Sequence, residues 1–83
     1  MKYSELYAFR IKQLCTKKGI TINRLATYSN VKQSTIDNIV HGASKNPKVR
    51  TLHKIATVFD MTLSEFLDFQ ELNDYSIDDE EED

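Results

Sequence analysis

Apolar residues recur along this chain at helical spacing, and no stretch alternates with a period of two for long. Tyr7, Ile11, Leu14 and Cys15 stand at i, i+4, i+7 and i+8, which gives a first helix one apolar stripe. Ser4 is its expected cap. Gly19 is its expected end, after Lys17 and Lys18, whose charges suit a helix C-terminus. Thr21 is placed to cap a second, short helix carrying Ile22, Leu25 and Ala26, which has to end by Ser29 and Asn30. A third helix is predicted from roughly Gln33 to Val40, with Ile36, Ile39 and Val40 facing inward and Gly42 as its stop. Ala43 to Lys48 is a polar, basic loop. Asn46 and Pro47 predict the start of a fourth helix, with proline near the first turn where its missing N–H costs little. Its stripe is Val49, Leu52, Ile55, Ala56 and Phe59. Thr62-x-x-Glu65 has the form of a capping box, with Met61 and Phe66 placed to staple across it. The fifth helix carries Phe66, Leu67 and Phe69 and extends toward Leu72. The expectation is an all-α, compact five-helix domain over residues 1–72, without internal repeats, followed by a tail over residues 73–83.

Charge changes the picture more than composition does. The net charge of −2 over 83 residues hides a division. Residues 1–57 hold all eleven Lys and Arg against only Glu5 and Asp37, a charge of +9, whereas residues 58–83 hold eleven acids and no Lys or Arg, a charge of −11. A basic body of this kind attracts a polyanion, and the acidic end either solvates the chain or competes with phosphate for the basic face. Asp78 to Asp83 are six acids in a row, which repel one another and bury nothing, so they are expected to be disordered.

Two short helices three or four residues apart form the skeleton of a helix-turn-helix. The order Leu25-Ala26, Asn30-Val31, Ile36 has a physical logic. Ala26 is small where the helices pack closely. Asn30 sits where the turn calls for a positive φ, which glycine meets best and asparagine next best. Val31 and Ile36 plug the space between the helices. From Gly19-Ile20-Thr21-Ile22-Asn23-Arg24-Leu25-Ala26 through Asn46-Pro47 and Leu52-x-Lys54-Ile55-Ala56, the chain resembles the Cro/phage-repressor (XRE-type) helix-turn-helix family. Thr62-Leu63-Ser64-Glu65-Phe66-Leu67 resembles its closing helix, so the resemblance covers roughly residues 5–69 without a gap.

That resemblance implies a lambda-repressor-like five-helix domain that binds double-stranded operator DNA, usually as a homodimer, to regulate transcription. It places the start of the third helix in the major groove, at Gln33, Ser34 and Thr35, with Asn38 one turn on. The side-chain chemistry suits the task. Gln and Asn bond bidentately to adenine N6 and N7, and Ser and Thr serve several base edges. Asp37 faces away from phosphates in many relatives, and its carboxylate is an acceptor for cytosine N4. Phosphate contacts are expected from Lys45, Lys48 and Arg50 in or just after the loop, from Lys32 before the third helix, and from Asn23 and Arg24 where the second helix opens its amides to an anion.

Three positions depart from the family pattern. Ile22 stands where many relatives have a Gln that braces the first reading residue. Cys15 and Val40 stand where many pair a buried Arg with a Glu. Both members change together to apolar residues, which is coherent because half of a buried pair is costly. Cys15 and Val40 are therefore expected to be core neighbours. Lys32 replaces the usual Ser or Thr cap of the third helix, so that helix start is expected to be weaker or differently capped.

Other chemistries find little support. A single cysteine forms no internal disulfide or cysteine-based zinc site and suits a reduced, cytoplasmic setting. His41 and His53 lie twelve apart with no ligand at metal spacing, so no metal or cofactor is implied. No catalytic triad sits on a plausible frame, and Glu65 is better explained as a cap than as half of a carboxylate pair with Asp68. No run of about 18 apolar residues spans a membrane, and residues 1–10 lack the apolar core of a signal peptide. Phe66, Phe69, Leu72, Tyr75 and Ile77 exceed what a small core needs and are expected either to form a dimer surface or to close the fifth helix onto the core. The leading reading is a sequence-specific repressor acting as a dimer on a near-palindromic operator. The alternative is a protein-interaction module on the same fold, an antitoxin or anti-repressor using its acidic tail.

Overall fold

The computed structural model describes residues 1–80; Glu81, Glu82 and Asp83, the last three acids of the expected disordered run, lie outside the described residues. Six α-helices follow one another: α1 (Tyr3–Lys18), α2 (Ile22–Ser29), α3 (Gln33–Val40), α4 (Val49–Val58), α5 (Leu63–Leu67) and α6 (Gln70–Asn73), then a 3-10 turn over Ile77–Asp79. The turn takes in Asp78 and Asp79, the first two acids of that run.

Each helix end has a local cause. α1 is capped by Lys2 and not by Ser4, which lies inside the first turn. Glu5 decides this: its amide donates to the Lys2 carbonyl at 2.9 Å, while the Lys2 amide donates to Glu5 Oε1 at 2.8 Å. Gly19 ends α1 in the left-handed conformation (φ 77°), and its amide donates to the Cys15 carbonyl at 2.8 Å. Thr21 caps α2 by accepting from the Arg24 amide at 3.1 Å. Asn30 takes φ 56° as the α2–α3 turn requires, and the following amide of Val31 donates back to the Ala26 carbonyl at 3.2 Å. The fourth helix starts two residues later than expected. Lys48 is its extended cap, so Pro47 precedes the cap and lies outside the first turn.

The core gathers one stripe from each of the first five helices. Tyr7, Ile11, Leu14 and Cys15 of α1 meet Leu25 and Ala26 of α2, Ile36, Ile39 and Val40 of α3, Leu52, Ile55 and Ala56 of α4, and Phe66 of α5. Cys15 and Val40 are both buried in this cluster, as the paired loss of charge at these positions predicts. Each fully buried Ile or Leu supports the fold by about 1.5–3 kcal/mol relative to exposure. Val49 was expected in the α4 stripe, but it is 65% exposed because α4 begins there and its first residue overhangs the core.

The expected fifth helix is broken. α5 stops at Leu67, Asp68 leaves the helical region at ψ 83°, and Phe69 is extended before α6 begins. Arg10 accounts for the break: its Nε donates to the Phe66 carbonyl at 2.9 Å and its Nη2 to the Glu65 carbonyl at 3.0 Å. Those are the acceptors that the amides of Gln70 and Phe69 would need to continue the helix. The bend turns Phe69 inward, to 6% exposure, with the Arg10 guanidinium 5.1 Å from its ring centroid. Phe66 and Phe69 therefore close onto the core and are not available as a dimer surface. Of the five apolar residues singled out near the C-terminus, Ile77 alone is exposed. Tyr75 packs edge-on against Tyr3 at 5.1 Å and donates to Glu80 Oε1 at 2.8 Å, which folds the chain back over the start of α1.

Candidate nucleic-acid interface

α3 is an eight-residue helix held from beneath. Ile36, Ile39 and Val40 are buried and leave one polar edge outside. Lys32, Gln33, Ser34 and Asn38 are exposed on that edge, and Thr35 and Asp37 are half-buried beside them. Lys32 is the N-cap residue and gives no side-chain cap, as expected from a side chain that carries only donors. The first-turn amides of α3 are thus left without a side-chain acceptor, a polarity that favours an anion.

The loop after α3 is fastened to it by the main chain. The Asn38 carbonyl accepts from the Ala43 amide at 2.9 Å and from the Ser44 amide at 3.0 Å. Thr35, Asn38, Ala43 and Ser44 line a shallow depression of about 300 Å³ between helix and loop. Beyond it the chain carries Lys45, then Lys48 at the α4 cap and Arg50 in its first turn, all exposed. One local unit, α3 with its loop and the start of α4, therefore presents Gln33, Ser34, Thr35, Asn38, Lys45, Lys48 and Arg50. Asn23 and Arg24 belong to a separate element, the N-terminus of α2, where both are exposed. Arg24 is turned along its helix, with Nη1 donating to the Tyr28 hydroxyl at 3.1 Å.

Two features were not anticipated. Gln33 Nε2 donates to Asp37 Oδ1 at 2.9 Å, so the side chain that lacks the family's brace at Ile22 is braced one turn along its own helix. The i, i+4 spacing of Gln and Asp was the available signal. Tyr28, 54% exposed beside Arg24, is the other, and a lone surface tyrosine gives no such signal. Glu65 is a cap: it accepts from the Thr62 amide at 2.9 Å while its own amide donates to Thr62 Oγ1 at 3.1 Å. Among the described residues no group of three or more His, Cys, Asp or Glu is placed to hold a metal ion, and no helix is long and apolar enough to cross a membrane.

Residues 10–71 match the model of the Cro/C1-type HTH DNA-binding domain. The chain belongs to this family. Among relatives of this Cro/C1-type protein, the HTH-type transcriptional regulator SinR of Bacillus subtilis is 31% identical over 66 residues, covering 80% of this chain and 60% of SinR. The chain thus spans less than two thirds of that regulator's length. Among solved structures, the prophage Lp1 protein 11 superposes with a TM-score of 0.79 at 32% identity, covering 90% of this chain and all of that one. SinR in complex with DNA superposes with a TM-score of 0.67 at 31% identity, covering 75% of this chain and 98% of that one. The Cro/C1-type relatives are transcriptional regulators, which are not enzymes.

Proposed function

We propose that this Cro/C1-type protein binds double-stranded DNA sequence-specifically and represses transcription by covering a promoter as a homodimer. The observation that carries the proposal is the exposed polar edge of α3, Gln33, Ser34 and Asn38, continuous with the cationic segment from Lys45 to Arg50. A neutral, hydrogen-bonding edge flanked by cations divides the work as DNA recognition needs: base edges are read by the amides and hydroxyls, and phosphates are held by Lys and Arg. Gln33, Ser34, Thr35 and Asn38 take the base-reading role. Lys32, Lys45, Lys48, Arg50 and Arg24, with Asn23, take the phosphate role. Five cations per protomer correspond to a slope of about −4 to −5 in the logarithm of the association constant against log salt, and about twice that for a dimer. The domain extends over residues 1–72, with the acidic tail outside the DNA contact. Two reading helices in a dimer lie roughly 34–36 Å apart, one turn of DNA, which calls for a near-palindromic site.

Selection of duplexes from a random pool by the full chain tests this. A two-fold symmetric consensus with half-sites one turn apart supports it. Recovery of no consensus, with binding indifferent to sequence, refutes it.

A further inference from the structure

The brace on Gln33 has a chemical direction. A carboxylate only accepts, so the group facing Asp37 Oδ1 at 2.9 Å must be the Gln33 amino group and not its oxygen. One of the two Nε2 protons is thereby used, and the amide cannot flip without placing Oε1 against a carboxylate oxygen. What remains pointing outward is one donor and one acceptor. Adenine offers one acceptor, N7, and one donor, N6–H, in the major groove, whereas guanine offers two acceptors, N7 and O6. An amide with both protons free can donate to both guanine acceptors; an amide held by Asp37 meets one of them with its own oxygen. The main chain of Asp37 is held at the helix end, its carbonyl accepting from the His41 amide at 3.0 Å and lying 2.7 Å from His41 Nδ1.

We infer that Asp37 is a specificity-determining positioning residue: it locks the Gln33 amide in the orientation that accepts A·T and rejects G·C at the base pair Gln33 reads. The inference rests on the proposed base-reading role of α3. It gives Asp37, on the helix that reads DNA, a purpose other than binding, since its charge opposes phosphate.

The test uses the full chain and its selected duplex, in competition binding against the same duplex with the Gln33 base pair changed from A·T to G·C. That pair is identified as the one whose preference disappears in Gln33→Ala. The wild type is expected to favour A·T by about tenfold or more, within the range of a good bidentate contact. Asp37→Asn is nearly isosteric but can either accept from Nε2 or donate to Oε1, so it no longer selects one orientation of the Gln33 amide; Asp37→Ala removes the brace. Both variants are expected to bring the ratio to within about threefold, chiefly through tighter binding of the G·C duplex. Loss of a negative charge strengthens binding to both duplexes alike, so the ratio is the readout. The Gln33 side-chain NH2 resonances of the free protein give a second one: the two protons are expected to be well separated in the wild type and to converge in Asp37→Ala. A wild-type ratio retained by both variants overturns the role of Asp37 while leaving base reading by Gln33 intact. If instead Gln33→Ala abolishes no preference at any position, Gln33 reads no base and the inference falls with that reading.

Discussion

Arg10→Ala should destabilise the domain by about 2–3 kcal/mol, although Arg10 is only partly buried. Its guanidinium holds the Phe66 carbonyl at 2.9 Å, the Glu65 carbonyl at 3.0 Å and the face of Phe69 at 5.1 Å. A hydrogen bond to a charged group contributes about 1.5–3 kcal/mol when shielded. The Phe66 contact is part-buried and takes the low end, about 1.5 kcal/mol. The Glu65 contact is exposed and contributes about 0.5 kcal/mol, since water replaces the donor there. The ring contact adds about 0.5 kcal/mol, the low end, because the guanidinium itself is only partly buried. At about 0.05–0.15 kcal/mol per residue, a domain of this size has a total stability of only about 4–12 kcal/mol. The loss is therefore expected to lower Tm by roughly 10–20 °C. Arg10→Lys keeps the charge but has no planar fork to span two carbonyls, so it should lose about half as much. Urea unfolding followed by circular dichroism measures both, with a shift in midpoint at constant slope. A loss below about 0.5 kcal/mol in Arg10→Ala would refute the assignment of the α5 break to Arg10, as would Arg10→Lys matching the wild type.

Other substitutions probe the backbone and the core. Asn30 and Asp60 hold φ near 56° and 55°, so Asn30→Ala and Asp60→Ala should each cost about 1 kcal/mol, whereas Asp60→Gly should be neutral or stabilising in the same melts. Cys15→Arg should cost roughly 3–5 kcal/mol by burying an unpaired charge, and adding Val40→Glu should recover much of it; a Cys15→Arg variant that melts with the wild type would contradict their shared burial. The Thr62 amide and hydroxyl hold the Glu65 carboxyl below its ordinary value. Its contribution is therefore complete above about pH 4.5, the ordinary carboxylate range, and is lost as pH falls through the lower folded value. Glu65→Gln should flatten the acid limb of the stability profile, and an unchanged limb would exclude this linkage.

The helices were legible where a local signal sets them. Gly19, Thr21, Asn30 and the Thr62–Glu65 box each act within three or four residues of themselves, and the periodic stripes placed Ile11, Leu25, Ile36 and Ile55 in the core. What was missed depends on distance or on an unusual residue. The α5 break is made by Arg10, more than fifty residues upstream, so Phe66, Phe69 and Leu72 looked like one continuous helical face. Lys2 is a poor cap by type, and only Glu5 three residues on reveals it. Val49 fits the period of α4 but lies at its overhanging first turn. The polar edge of α3 could be placed from the sequence because its buried partners at 36, 39 and 40 fix which face is left outside. The Gln33–Asp37 contact depends on side-chain rotamers that spacing permits but does not select.

The claim that α3 reads bases while its flanking cations hold phosphate is tested most directly by comparing Gln33→Ala with Lys48→Ala over a salt series, on the selected duplex and on random duplex. Lys48→Ala should weaken both duplexes by a similar factor and reduce the salt slope by about 0.9 per protomer. Gln33→Ala should weaken the selected duplex alone, by about tenfold, and leave the slope unchanged. Equal losses on both duplexes for Gln33→Ala, or a slope indifferent to Lys48→Ala, would contradict this division of roles.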